Sequence, residues 1–191
     1  MKRNKKDEIL KIAFEIIHKK GFNNTGIQEI LTSAGVPKGS FYFYFQNKDD
    51  LGLQLIDYFL DSFISKADEM LHSDHSPLVQ LRLLFEYLSN NCELAGFQGG
   101  CLVGNMAQES GGLNDKFHAK LNSSFQVMQE KISEFLSKAV ANNELSETID
   151  ILQTANFIVS CMEGVLLQMK VSKSTESYRV FDRIIFDKVL K

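Results

Sequence analysis

Tryptophan is absent from the 191 residues, proline occurs twice and cysteine three times. With only Pro37 and Pro77 to remove a backbone donor and clash with the preceding turn, long helices can run almost uninterrupted. Cys92, Cys101 and Cys161 are an odd number at spacings unlike those of metal pairs, which argues against a disulfide framework or a zinc site. No apolar stretch follows the basic N-terminus, so a signal peptide is not expected. No window approaches the roughly 18 apolar residues of a membrane span. The expectation is a cytoplasmic protein with no membrane partner. Its 44% hydrophobic and 24% charged content is that of a globular chain long enough for one or two packed domains.

Catalytic chemistry also lacks a foothold. His72 and His75 are close in sequence, but without a third ligand at helical spacing they make no metal site. The stretch Gly96-Phe97-Gln98-Gly99-Gly100 lacks the Lys-Ser/Thr of a phosphate-binding loop, and no strand precedes it. No serine elbow and no acid pair in a catalytic setting stands out. Neither an enzyme nor a cofactor or metal is expected.

What is present is an asymmetry of charge. Residues 1–48 carry nine Lys/Arg against four Asp/Glu, a net of +5, while residues 49–191 carry twelve against twenty, a net of −8. A basic head on an acidic body points to a polyanion partner at one end only.

The head has a helical rhythm. Ile9, Leu10, Ala13, Phe14, Ile16 and Ile17 recur at helical spacing, and Gly21 follows a lysine-rich last turn, which predicts a helix over roughly residues 5–20. Thr25 is placed to cap a second helix with the stripe Ile27, Ile30, Leu31 and Ala34, at i, i+3, i+4, i+7. Gly35 permits a tight turn and Pro37 suits the entry of a third helix, Lys38 to Phe45. At about 100° per residue with Phe41 at zero, Phe45 falls near 40° and faces inward with it. Gly39, Phe43 and Ser40 fall near 160°, 200° and 260° at about the same step, on the outward face, with Tyr42 and Tyr44 at the boundary. Packing against another domain would explain so many exposed rings. So would a recognition helix, whose first residues meet base edges, whose tyrosines bond phosphates, and whose Phe43 touches a thymine methyl.

The run Thr25-Gly26-Ile27-Gln28-Glu29-Ile30, then Ala34-Gly35-Val36-Pro37-Lys38-Gly39-Ser40-Phe41-Tyr42-Phe43-Tyr44-Phe45, then Lys48 and Leu51, resembles the DNA-binding signature of the TetR/AcrR family of repressors. The resemblance implies an all-α protein: an N-terminal three-helix helix-turn-helix DNA-binding domain (1–47), joined by a long helix to a helical ligand-binding and dimerisation domain (48–191). It implies base contacts from Lys38 and Gly39, and phosphate contacts from Thr25, Tyr42, Tyr44 and Lys48. Gln28 and Ser40 would lie near the groove. The family often has histidine where Tyr44 stands.

In the body, Asn47 is placed to cap a long helix to about residue 71, with Asp49 and Asp50 at its positive end. Further helices are predicted at about 78–94, 101–110, 114–142, 148–171 and 175–190. The stretch from Phe157 to Met169 is apolar almost all round and must be buried on two sides. One side can close the body's core, and the other can meet a symmetry mate through the last two helices, as the family's usual dimer does. A dimer would read double-stranded DNA as a palindrome, its half-sites about one turn apart.

Phe59, Phe63, Phe85, Leu88, Cys101, Met106, Phe125, Met128, Phe157 and Met162 are candidates to line an apolar cavity for a small-molecule inducer, although each is equally at home in a plain core. Glycines deliver Cys101 to the start of a short helix, where the dipole favours a thiolate. Gly100-Cys101-Leu102 and Leu167-Gln168-Met169-Lys170-Val171-Ser172 are similar to segments of the family's N-ethylmaleimide-responsive subgroup. That similarity implies Cys101 as a sensor of oxidants or electrophiles with Lys170 beside it; structural packing of a small buried thiol is the other reading. The expected function is ligand-released repression, with covalent triggering through Cys101 as the alternative.

Overall fold

The structure, a computed structural model, describes residues 5–109 and 114–191. All regular structure among the described residues is helical. Helix α1 spans Lys5–Lys20, with Asp7 and Glu8 in its first turn and His18, Lys19 and Lys20 in its last, so that charge complements the helix dipole at both ends. Its buried stripe is Ile9, Leu10, Ala13 and Ile17, and Gly21 ends it at φ 88°, a left-handed conformation in which glycine has no Cβ to strain.

Helix α2 spans Ile27–Ser33 and is capped by Gly26, not by Thr25. The Thr25 hydroxyl turns inward and donates to the Gly21 carbonyl at 2.8 Å, closing the α1–α2 turn instead of starting the next helix. The third element departs further from expectation. Lys38–Phe43 is a 3-10 helix, held by Ser40 N–H to the Pro37 carbonyl and Tyr44 N–H to the Phe41 carbonyl, both 2.9 Å. Six residues with glycine second are too few to sustain an i→i+4 ladder on propensity alone. The predicted sidedness survives because Phe45 N–H still bonds to the Phe41 carbonyl at 3.0 Å, and Phe41 and Phe45 are both buried.

Helix α3, Lys48–Leu71, rises about 36 Å at 1.5 Å per residue. Its start is fixed as predicted. Asp50 N–H donates to Asn47 Oδ1 at 2.8 Å, which satisfies an orphan donor of the first turn, and Asp50 Oδ2 accepts from Gln46 N–H at 2.8 Å. Helix α4 is Pro77–Leu94, entered through a proline whose missing N–H costs nothing at that position. The glycine-rich connection after it turns through Gly96, Phe97, Gly99 and Gly100, all at positive φ. Helices α5 (Leu102–Glu109) and α6 (Asp115–Ala141) follow; the predicted end of α5 at residue 110 lies outside the described residues. Helix α7, Ile151–Ser172, is capped by Asp150, which accepts from Gln153 N–H, and ends on Lys173 in the left-handed region. The last predicted helix is two elements: α8, Glu176–Ile184, and a π-helical turn, Ile185–Val189.

The chain divides into two compact units. The first runs to Asp61 and takes in Leu102–Asn122; the second is Ser62–Cys101 with Ser123–Lys191. Asn47 caps α3, and the first unit extends beyond it into that helix. Within that unit Gly52 is packed so closely that a Cβ there would lie 2.6 Å from the Phe22 ring and 2.7 Å from the Phe117 ring. Gly52→Ala should therefore destabilise the chain by up to about 2 kcal/mol. With ring contacts below 3 Å, overpacking falls toward the upper part of about 1–3 kcal/mol and outweighs the roughly 1 kcal/mol that alanine gains in helix propensity. Urea unfolding measures it, and a stabilised variant would contradict this packing.

Candidate nucleic-acid interface and partner face

The 3-10 element presents its outer side to solvent because its inner side is anchored. Phe41 and Phe45 pack with ring centroids 5.2 Å apart, and Tyr42 sets its ring edge-on to Phe41 at 5.4 Å. That fixes Tyr42 at 63% exposure and Phe43 at 84%. Removing two aromatic rings from water is worth kilocalories, so a head that leaves them out is shaped for a partner. Lys38, Gly39 and Gln28 are also exposed, and Ser40, Tyr44 and Lys48 are half-buried. A Cβ at Gly39 would meet nothing within 4 Å and its φ is not positive, so nothing inside the chain requires glycine there. A surface approaching the backbone closely would require it.

Of the nine residues assigned to DNA, Thr25 stands apart, buried at 1% exposure with its hydroxyl bonded inside the turn. The Lys48 ammonium donates to the Asn23 carbonyl at 3.3 Å and sits 4.7 Å from the Phe22 ring centre. Burial lowers its pKa, against the raising effect of Glu109 and Asp49. Gln28 Nε2 donates to Thr32 Oγ1 at 3.3 Å, which orients it along the exposed side of α2. Sequence reasoning missed Phe22, Asn23 and Glu109 as supports of Lys48. Glu109 lies 86 residues from Asn23, and no local pattern links them.

In the second unit, α7 and α8 frame an open groove of about 970 Å³. It is lined by Phe157, Cys161, Leu167, Val180 and Ile184 among others. Phe157 is 51% and Val171 78% exposed. Helix α7 is long and apolar enough to cross a membrane by length and composition, contrary to the expectation that no window would come near. Its buried side carries Ala155, Ile158, Val159, Met162, Val165, Leu166 and Met169, and the groove accounts for the remaining apolar surface. A Cβ at Gly164 would meet nothing within 4 Å, which leaves room for another backbone to approach.

The expected cavity residues fare unevenly. Phe157 is not part of a closed cavity: it is 51% exposed and lines the open groove of α7, turned away from the buried Ile158 and Met162. Phe85 spends its ring on core packing, edge-on to Phe181 at 5.3 Å, and Phe59 stacks on Phe14 of α1 at 6.4 Å. Met106, Met128, Met162 and Phe63 are buried; Leu88 and Phe125 are half-buried.

Cys101 precedes α5 directly, as predicted, and is 6% exposed. Its thiol hydrogen-bonds to Glu163, whose carboxyl is shifted up by burial and back down by that bond. At 6% exposure little of the sulfur is open to a reagent in solution. Lys170 places its charge near Cys92, where, with Lys173, it opposes the upward shift that burial imposes on that thiol. N-ethylmaleimide at pH 7 should therefore label Cys101 in the folded protein at least about tenfold more slowly than a peptide cysteine. Mass spectrometry of quenched samples reads this, and labelling at peptide rates would overturn the assignment.

Residues 9–55 match the family model described as bacterial regulatory proteins, tetR family. Residues 77–185 match the tetracyclin repressor-like C-terminal domain. The chain is 35% identical over 176 residues to the transcriptional regulator AcuR of Cereibacter sphaeroides, covering 92% of this chain and 80% of that one. It is 26% identical over 174 residues to the transcriptional repressor NemR of Escherichia coli, covering 90% and 86%. A crystal structure of a regulatory protein TetR from Rhodobacter sphaeroides superposes with a TM-score of 0.87 at 35% identity, covering 93% of this chain and 94% of that one.

Proposed function

The chain belongs to the tetR family of bacterial regulatory proteins, and from that premise we propose that it is a homodimeric repressor which grips a palindromic operator and releases it to a small apolar ligand. It is a DNA-binding transcriptional regulator and not an enzyme. One observation carries the reading of the head: Tyr42 and Phe43 stand in solvent on an element whose other side is locked by Phe41 and Phe45. Lys38 and the backbone at Gly39 meet base edges, Phe43 meets a thymine methyl, and Tyr42, Tyr44, Ser40 and Lys48 engage phosphates, with Gln28 at the groove edge. Thr25 contributes by holding the turn, since its hydroxyl is committed to Gly21.

Dimerisation is supported by the α7–α8 groove and by the open approach at Gly164. Two helices from each chain close a four-helix interface. Ligand release is supported by family membership and by the apolar interior of the C-terminal domain, with Phe63, Met128 and Met162 as remaining candidates. The ligand need only favour the DNA-incompetent state, by about 1–3 kcal/mol of coupling. Release by covalent change at Cys101 has less support, because the thiol is buried and faces Glu163.

A mobility-shift assay with the DNA upstream of the chain's own gene tests the proposal. A saturable, salt-sensitive shift at two chains per site is the expected result. Binding that no duplex competes selectively would defeat it.

A further inference from the structure

Two backbone amides in the α1–α2 turn are held from a distant part of the sequence. Glu109, the last residue of α5 and part of the same compact unit as α1 and α2, accepts Phe22 N–H on Oε1 at 3.0 Å. It accepts Asn23 N–H on Oε2 at 2.7 Å, and its main-chain carbonyl accepts Asn23 Nδ2 at 3.3 Å. Gly21 makes room for this: a Cβ there would lie 2.6 Å from Glu109 Oε1. On their other side, the same two residues hold Lys48, whose ammonium donates to the Asn23 carbonyl and lies over the Phe22 ring. Phe22 is itself fixed, 2% exposed and packed on Phe117 at 5.5 Å.

We propose that Glu109 is a positioning residue for DNA binding: by clamping the amides of Phe22 and Asn23 it holds the Asn23 carbonyl and the Phe22 ring where they aim Lys48 at a phosphate. The inference rests on the reading of Lys48 as a phosphate contact. A lysine side chain has many rotamers, and ordering it before DNA arrives removes part of the entropy cost of binding.

The sign of the effect separates positioning from charge. A carboxylate near a DNA-facing lysine repels phosphate, so on charge alone its removal should tighten binding. Positioning demands the reverse. The test uses the full-length protein and a duplex selected in vitro from random sequences, with affinity read by fluorescence anisotropy across a salt series. Wild type is compared with Lys48→Ala, Glu109→Ala, Glu109→Gln and the double variant Glu109→Ala/Lys48→Ala.

Lys48→Ala should reduce the salt slope by about 1 per subunit, about 2 per dimer. Glu109→Ala should reproduce that loss of slope and weaken binding about tenfold. The double variant should bind no more weakly than Lys48→Ala alone, and Glu109→Gln, which keeps one carbonyl acceptor, should recover part of the affinity. If Glu109→Ala fails to fold, Glu109→Gln carries the test by the same signs. Tighter binding, an unchanged slope, or losses that multiply in the double variant overturn the inference and leave Lys48 in place. An unchanged slope in Lys48→Ala removes both.

Discussion

Lys38→Ala combined with Tyr42→Ala should abolish specific DNA binding while leaving the fold intact. Both side chains project from the exposed edge of the 3-10 element, so neither truncation opens a cavity. A base contact from Lys38 is worth about 1–3 kcal/mol, and the Tyr42 hydroxyl adds a phosphate bond of about 1 kcal/mol. Each is lost twice in a dimer. The combined loss of at least about 4 kcal/mol corresponds to roughly a thousandfold in affinity, which brings specific binding close to the non-specific level. Anisotropy titration measures the affinity, and thermal melting shows whether the fold persists. Retention of affinity within about threefold of wild type, less than 1 kcal/mol, would remove the recognition surface from this element.

The second large effect concerns the groove. Leu167 lies on the open side of α7 at 45% exposure, so a charged replacement should not disturb the isolated subunit. In a two-fold interface Leu167→Glu would bring two carboxylates into an apolar seam at once, each costing several kilocalories to desolvate. The variant should run as a monomer by light scattering. It should also bind DNA at least about a hundredfold more weakly, because one head alone has only its half-site contacts. A variant that keeps twice the chain mass would place the dimer contact elsewhere.

The head was legible in the sequence almost residue by residue. Its elements are short and bounded by Gly21, Gly35 and Pro37, and the pair Phe41/Phe45 assigned inside and outside correctly even though the predicted α-helix is a 3-10 turn. The two phenylalanines needed only to fall on one side, and that survives a change of pitch. Thr25 misled because a threonine before a helix can serve either the helix ahead or the turn behind, and here its hydroxyl reaches back to Gly21. Periodicity also found the long helices and the Asn47 cap, since both are local.

Long-range pairing was not legible. The Glu109 clamp joins residues 86 and 87 positions apart, and the bond between Cys101, in the connection before α5, and Glu163 on α7 joins segments that no local pattern relates. The sequence of α7 is apolar almost all round near Phe157, so it does not show which face carries that ring. A helix of that kind hides which of its faces meets the chain's own core. The signal that separates the faces is the exposed row of Phe157, Leu167 and Val171, visible only once the other face has been packed.

Hydroxyl-radical footprinting of the selected duplex tests the central claim most directly, because it reads where each head sits. Two protected patches centred about 10 base pairs apart, or a whole multiple of that, both lost in the Lys38→Ala/Tyr42→Ala variant, are the predicted result. A single patch, or protection that persists without those side chains, would contradict it.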